Sequence, residues 1–276
     1  MSYLGIDVGT TGCKVVAFSE RGEIIARSYR EYPLYYPQTG WIELDAEEVY
    51  RAVEDSLQEV SQGLLNDPPR SLAISSQGEA VVPVGEGGEC LARSIVTFDQ
   101  RGDEFVPFWE EKVGRKPFFE LTGTSLSGIG TVNKILWWKK YKKDVFEKAR
   151  YFLCFEDFIM YRLGVEPAIS FSLAGRTMMF EVQKEKWSEK ILSLAGIDPM
   201  RLARPLPSGE VVGEVAPSFA QKMGWKEKVI VATGGHDQPC GALGSGVIKP
   251  ALAMDATGTV ECIAPALGQL VLSPVM

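Results

Sequence analysis

The sequence predicts an α/β protein in which a mixed β-sheet is flanked by helices and followed by the opening strands of a second domain of the same kind. Three observations carry this expectation. Residues 3 to 64 read in the order βββα, residues 229 to 244 read as a buried strand, a glycine pair and a helix, and a six-residue piece of the first strand recurs late in the chain.

Taken in order, residues 3 to 8 form an apolar strand, residues 14 to 18 a second strand after a Gly/Thr turn, and residues 23 to 29 a third after the tight turn Glu20-Arg21-Gly22. A turn-rich stretch ends at Trp41. Asp45 and Glu48 then resemble a capping box, and Val49, Ala52, Val53, Leu57, Val60 and Leu64 keep helical spacing, so one face of that helix should pack on the sheet. Residues 71 to 75 and 80 to 84 read as strands, with Gly85 to Gly88 turning into a further strand near 91 to 97. Between 102 and 200 the pattern is helical, with helices expected at 131 to 143, 155 to 163 and 187 to 195. Residues 229 to 233 form a β-branched strand that runs into Gly234-Gly235, and a Gly/Ala-rich helix follows at 238 to 244.

The repeat pairs Ile6-Asp7-Val8-Gly9-Thr10-Thr11 with Met254-Asp255-Ala256-Thr257-Gly258-Thr259. Two strands that end in Asp, Gly and Thr suggest two related domains facing one ligand. After the second copy only about 17 residues remain, too few for a second domain of typical size, so the chain is expected to be truncated. The first domain is placed at 1–247 and the fragment of the second at 248–276. Unpaired strand edges in that fragment invite pairing with another chain, hence a homodimer.

Composition narrows the partners. With 29 Lys and Arg against 36 Asp and Glu, the net charge of -7 offers no basic footprint for nucleic acid or an anionic membrane. Cys13, Cys90, Cys154, Cys240 and Cys262 stand singly and His236 is the only histidine, which argues against structural zinc and a disulfide framework. There is neither a signal-peptide pattern at the N-terminus nor a run of about 18 apolar residues. A cytoplasmic protein with a small partner is expected.

A strand ending in Asp7 that turns through Gly9-Thr10-Thr11-Gly12 directs backbone N–H groups and two hydroxyls toward one point, which suits phosphate oxygens. Lys14 can add a positive charge, although a plain hairpin with Lys14 solvated would look alike. Asp7 could hold Mg²⁺ through water, since that ion keeps most of its hydration shell. The second copy offers Thr257, Gly258 and Thr259 in the same way. Asp237, after an apolar strand and two glycines, is placed to be rigid and exposed to a cleft, or else to cap the following helix. Gln77 and Glu79 follow one strand and Asp99 and Arg101 follow another, so these four could meet ligand hydroxyls from one sheet edge. A surface ion pair is the alternative for Asp99 and Arg101. His236 is expected to orient its neighbour rather than react, Trp137 and Trp138 to be core, and Lys139, Lys140, Lys142 and Lys143 to be a solvated helix face.

Gly5 to Thr11, Trp41-Ile42-Glu43-Leu44-Asp45, the segment TVNKILWW at 131 to 138, and Gly234-Gly235-His236-Asp237 with Gly241 to Gly246 resemble, in order and spacing, the landmarks of the FGGY carbohydrate kinases, over residues 3 to about 262. That family lies in the actin, Hsp70 and hexokinase superfamily. The resemblance implies RNase H-like domains with ATP and sugar in the cleft between them. It also implies that Asp237 is the general base that takes the proton of the attacking hydroxyl, and that a polyol or sugar is held from the turns of Gln77, Glu79, Asp99 and Arg101. The chain departs from glycerol kinases at Gly78, where those enzymes carry an arginine beside the glutamate, which favours a different polyol or a ketose. A non-catalytic sugar sensor would lack Thr10, Thr11 or Asp237, and an actin- or Hsp70-like ATPase would lack Gln77, Glu79 and the segment 41 to 45; all are present.

Overall fold

The computed structural model describes residues 1–64, 67–257 and 261–273. Its central sheet contains β1 (Ser2–Val8), β2 (Gly12–Ser19), β3 (Ile24–Glu31), β4 (Pro69–Ser76), β5 (Val211–Glu214) and β6 (Ile230–His236), in the spatial order β5-β6-β4-β1-β2-β3. The first three strands form an antiparallel meander, β1, β4 and β6 run parallel, and β5 closes one edge antiparallel. This is the mixed α/β sheet expected.

Strand alternation decides the faces. Leu4, Ile6 and Val8 of β1 and Cys13, Val15 and Ala17 of β2 are buried on one side, where α1 (Ala46–Gln62) packs with Val49, Val53, Leu57 and Val60. The Asp45 carboxylate caps α1 by accepting from the N–H groups of Glu47 and Glu48. Glu48 does not complete the box, because its carboxylate accepts from the Tyr35 hydroxyl at 3.0 Å. A second core forms around α2 (Thr131–Tyr141), where Val132, Ile135, Leu136, Trp137 and Trp138 are buried with Trp109 and Phe118. The two tryptophans are therefore core residues, and Lys139, Lys140, Lys142 and Lys143 are exposed. The next helix, α3 (Phe155–Arg162), packs on β4 and β6.

Three of the boundaries that differ from expectation matter here. The strand near 91 to 97 shrinks to Ser94–Ile95, paired with Glu43–Leu44, and the helix expected from 187 begins at Glu189, because Lys186–Trp187 pairs with Phe180–Glu181. The third concerns β6, which continues through the glycine pair to His236. Ala232 pairs with Ala73 and Gly235 with Ser75, so Thr233 and Gly234 together oppose Ile74 in a β-bulge. Directly after it α4 (Asp237–Gly244) begins, one residue earlier than expected. The chain then forms a hairpin of β7 (Ala253–Ala256) and β8 (Cys262–Pro265) packed on α4, where Gly241 faces Met254. Among the described residues, none after Ala242 is buried, and Ile263 is 66% exposed. No helix among them is long and apolar enough to cross a membrane.

Candidate active site

The parallel strands β1, β4 and β6 finish at one edge of the sheet. Their register aligns Asp7 with Ser75 and Ser75 with Gly235, and then Val8 with Ser76 and Ser76 with His236. Asp7, the 77 to 79 turn and Asp237 therefore emerge side by side. The strand that carries Asp7, β1, and the strand that leads into Asp237, β6, are not direct neighbours, since β4 lies between them.

The turn after β1 is tightly braced. Gly9 N–H donates to Gly12 O at 2.9 Å, and Gly9 O accepts from the Tyr32 hydroxyl at 2.6 Å and from Gln77 Nε2 at 3.0 Å. Gln77 Oε1 accepts from Thr10 Oγ1 at 3.2 Å, so this buried amide latches the turn to β4 with both ends. A Cβ at Gly12 would lie 2.7 Å from Arg30 O, which is why the residue has no side chain. Asp7 Oδ1 accepts from Ser75 Oγ at 3.0 Å. Lys14 is exposed and faces Asp7 across the antiparallel ladder, so both side chains stand on one face of the sheet. Thr11 is exposed. Among the described residues no group of three or more His, Cys, Asp or Glu forms a cage for a cation. Thr257 is exposed at the end of β7, while Gly258 and Thr259 lie outside the described residues.

Opposite this turn stands a polar cluster built around Glu79. Its backbone is in the left-handed region at φ 60°, a conformation unfavourable for a residue with a side chain. It is held there because Glu79 O accepts from Thr131 Oγ1 at 3.1 Å and Lys134 Nζ at 2.8 Å, both from α2. The Glu79 carboxylate, 3% exposed, accepts from Arg176 Nε at 2.6 Å and forms a second bond to Arg176 Nη2. Gly78 permits this packing: a Cβ there would lie 2.9 Å from His236 Nε2 and 3.5 Å from Arg176 Cγ. His236 Nε2 in turn lies 3.1 Å from Asp237 Oδ1. Burial, with help from Arg176, lowers the His236 pKa to about 4, so the imidazole is neutral at physiological pH. Burial raises Asp237 to about 6, and the charges of Asp7 and Glu79 push the same way.

The bulge in β6 is anchored from behind. Glu156 on α3, fully buried, accepts from Gly234 N–H at 2.9 Å, from Ser170 N–H at 3.0 Å and from Ser170 Oγ at 2.7 Å. The N–H that the bulge frees from the ladder thus finds a carboxylate, which burial raises to about 7.

Asp99 and Arg101 are not a surface pair. Asp99 is 1% exposed, caps the following turn through Arg101 N–H, and accepts from Ile42 N–H at 2.6 Å and from the Arg101 guanidinium at 2.8 to 3.1 Å. Arg101 also reaches Glu43 Oε1 at 2.8 Å and stacks over Trp41 and Trp137. This buried network lies behind Glu79, close enough that the Asp99 charge acts on Lys134.

Arg176, Lys134 and Glu156 were missed by sequence reasoning. Lys134 lies within the segment TVNKILWW that was singled out as a landmark, but no role was assigned to it; its position four residues before Trp138, on the apolar stripe, is a signal that it is buried. Gln238, next to Asp237, has a buried Oε1 without a hydrogen-bond partner among the described residues.

The mixed sheet of this order with its flanking helices has the actin/hexokinase-like fold of solved sugar kinases. The structure superposes on a ligand-bound xylulose kinase from Lactobacillus acidophilus with a TM-score of 0.92 at 22% identity, covering 99% of this chain and 56% of that one. Plasmodium falciparum glycerol kinase with ADP gives a TM-score of 0.87 at 19% identity over 95% of this chain and 53% of that one. Residues 2–244 match the N-terminal domain model of the FGGY family of carbohydrate kinases, and the chain belongs to that family. Among curated relatives, a gluconokinase of Bacillus subtilis (strain 168) is 28% identical across 94% of this chain and 51% of its own length, and a xylulose kinase of Staphylococcus xylosus is 27% identical across 94% and 54%. The chain spans about half the length of the curated relatives it matches.

Proposed function

We propose that this chain is the acceptor- and phosphate-binding half of an ATP-dependent carbohydrate kinase, with Asp237 as the general base. The observation that carries the reading is the shared edge of β1, β4 and β6, where a braced Gly-Thr-Thr turn faces a half-buried carboxylate whose pKa burial has raised to about 6. Phosphoryl transfer depends mainly on positioning and charge stabilisation, together with a group that accepts the hydroxyl proton. On this reading the acceptor hydroxyl donates to Asp237, and the neutral His236 fixes that carboxylate from one side. The turn at 9 to 12 meets the phosphates with N–H groups and the Thr11 hydroxyl, while the Thr10 hydroxyl donates to Gln77 and braces the turn, with Lys14 adding charge. Thr257, Gly258 and Thr259 are assigned to the same phosphates from the segment at 248–276, read as the start of a second lobe.

Asp7 fits a water-mediated magnesium ion, because a single accessible carboxylate beside bound phosphates is what that ion takes. When bound, the ion would neutralise phosphate charge. On the acceptor side Glu79 is the contact residue; Gln77 braces the turn at 9 to 12, and Asp99 and Arg101 form a buried network with Ile42 and Glu43.

The direct test is ADP release by the protein in its full natural length, with ATP and a panel of pentuloses, hexuloses, polyols and aldonates. Release that depends on one of these acceptors supports the reading, and ATP hydrolysis indifferent to all of them removes it. The pH profile is a further expected result. A base must be deprotonated to act, so kcat/KM should rise through an apparent pKa near 6 and level off above it. His236, already neutral above pH 5, should add no second limb in that range. Initial rates between pH 5 and 8 check this.

A further inference from the structure

Resting on the kinase reading, we infer that Arg176 is the specificity-determining residue of the acceptor pocket, and that together with Glu79 it selects a neutral polyhydroxy acceptor over an aldonate. Arg176 sits in a short turn at Gly175–Thr177, 97 residues from Glu79 in sequence, yet its guanidinium closes on the Glu79 carboxylate with Nε and Nη2 both directed at Oε1. Its side chain remains 36% exposed while Glu79 is 3% exposed, so the remaining N–H donors of the guanidinium face outward from a buried anchor. The pair lies against His236 and Asp237: the bare Cα of Gly78 lets the Arg176 stem and the His236 ring come together.

Charge decides what such a pair can hold. The charged groups around this pocket are the carboxylates of Glu79, Asp237 and Asp7, the guanidinium of Arg176, the buried Lys134 ammonium that donates to Glu79 O, and Lys14, which faces Asp7; His236 is uncharged. The one guanidinium is already matched by Glu79. An incoming carboxylate could take the guanidinium only by displacing Glu79 from it, which would strip a carboxylate that is 3% exposed of its ion-pair partner. A hydroxyl avoids that penalty, since it can donate to a carboxylate and accept from an arginine N–H in the same position. The strained φ of Glu79 is the second sign of a built site, because a residue held in that conformation from two side chains of α2 is a fixed contact point.

Steady-state kinetics on the full natural protein, with xylulose and xylitol as neutral probes and gluconate as the anionic one, test the inference. The parent should favour a neutral probe over gluconate by about tenfold or more in kcat/KM, in keeping with one mismatched charge. Arg176→Met should raise KM for the neutral acceptor by about tenfold, the effect of one lost charge-assisted hydrogen bond, while KM for ATP stays within about twofold. Glu79→Gln, which frees the guanidinium, should move the preference toward gluconate, a change that a purely structural role for Arg176 would not produce. A parent that prefers gluconate overturns the inference and leaves the kinase reading standing. So does Arg176→Met with its defect in KM for ATP instead. Should no acceptor of the wider panel support ADP release, the kinase reading falls and takes this assignment with it. Because the parent's own preference is measured without any substitution, a variant that fails to fold does not rescue the claim.

Discussion

Asp237→Asn is expected to lower turnover by roughly 10²- to 10⁴-fold while acceptor affinity stays within a few-fold. The amide keeps the size of the carboxylate and can still accept a hydrogen bond, but it cannot take a proton at physiological pH. Binding and chemistry should therefore separate. The rise of activity near pH 6 should also vanish from the residual rate, because the group responsible for it is gone. Steady-state kinetics with acceptor binding measured by calorimetry check both halves. Turnover near the parent rate would show that another group takes the proton.

Gly234→Ala is expected to damage stability and catalysis together. A Cβ at this position would collide with the carbonyl group of Ile74, lying 2.6 Å from its carbon atom, and the obstacle is backbone that cannot rotate away. Strand β6 would have to leave β4 at the bulge, and the Gly234 N–H would lose Glu156. Overpacking of this kind costs about 3 kcal/mol or more, which for a domain of this size lowers the melting temperature by roughly 5 to 10 °C. Asp237 begins three residues later, so a shift on the order of 1 Å should cost a further 10²-fold in turnover. Gly244→Ala supplies the contrast. Nothing lies within 4 Å of its Cβ position at the end of α4, so melting temperature and activity should remain near those of the parent. Thermal denaturation of both variants, followed by activity at a temperature where each is folded, distinguishes the two outcomes.

Much of the fold was legible because its signals are local. The apolar run of β1, the strand β2, the Asp45 cap and apolar stripe of α1, and the Gly/Thr turn each rest on residues a few positions apart, and each formed. Boundaries erred where a distant partner intervened. Trp187 left its expected helix because it pairs with Phe180, and β6 ran past Thr233 because Ser75 and Ser76 continue the ladder on its neighbour. Site residues divide along the same line. Asp7 and Asp237 were visible because a glycine turn beside an acidic residue is a pattern in itself. Arg176 was not, since nothing near it in the chain says that it will meet Glu79. Asp99 and Arg101 were visible as a polar pair, but whether the pair stood in solvent or beneath Trp41 and Trp137 depended on packing from three separate segments.

By itself the sequence determined the mixed α/β architecture, the Gly-Thr-Thr turn after the first strand and the carboxylate after the glycine pair, since hydrophobic period, turn chemistry and helix capping act over a handful of residues. Only the tertiary structure decided that a bulge at Thr233 and Gly234 precedes Asp237, that Thr131 and Lys134 hold Glu79 at positive φ, and that Arg176 pairs with Glu79 from 97 residues away. The physical reason is that burial and ion pairing depend on which surfaces meet once the chain has closed on itself, and a local pattern carries no record of that meeting.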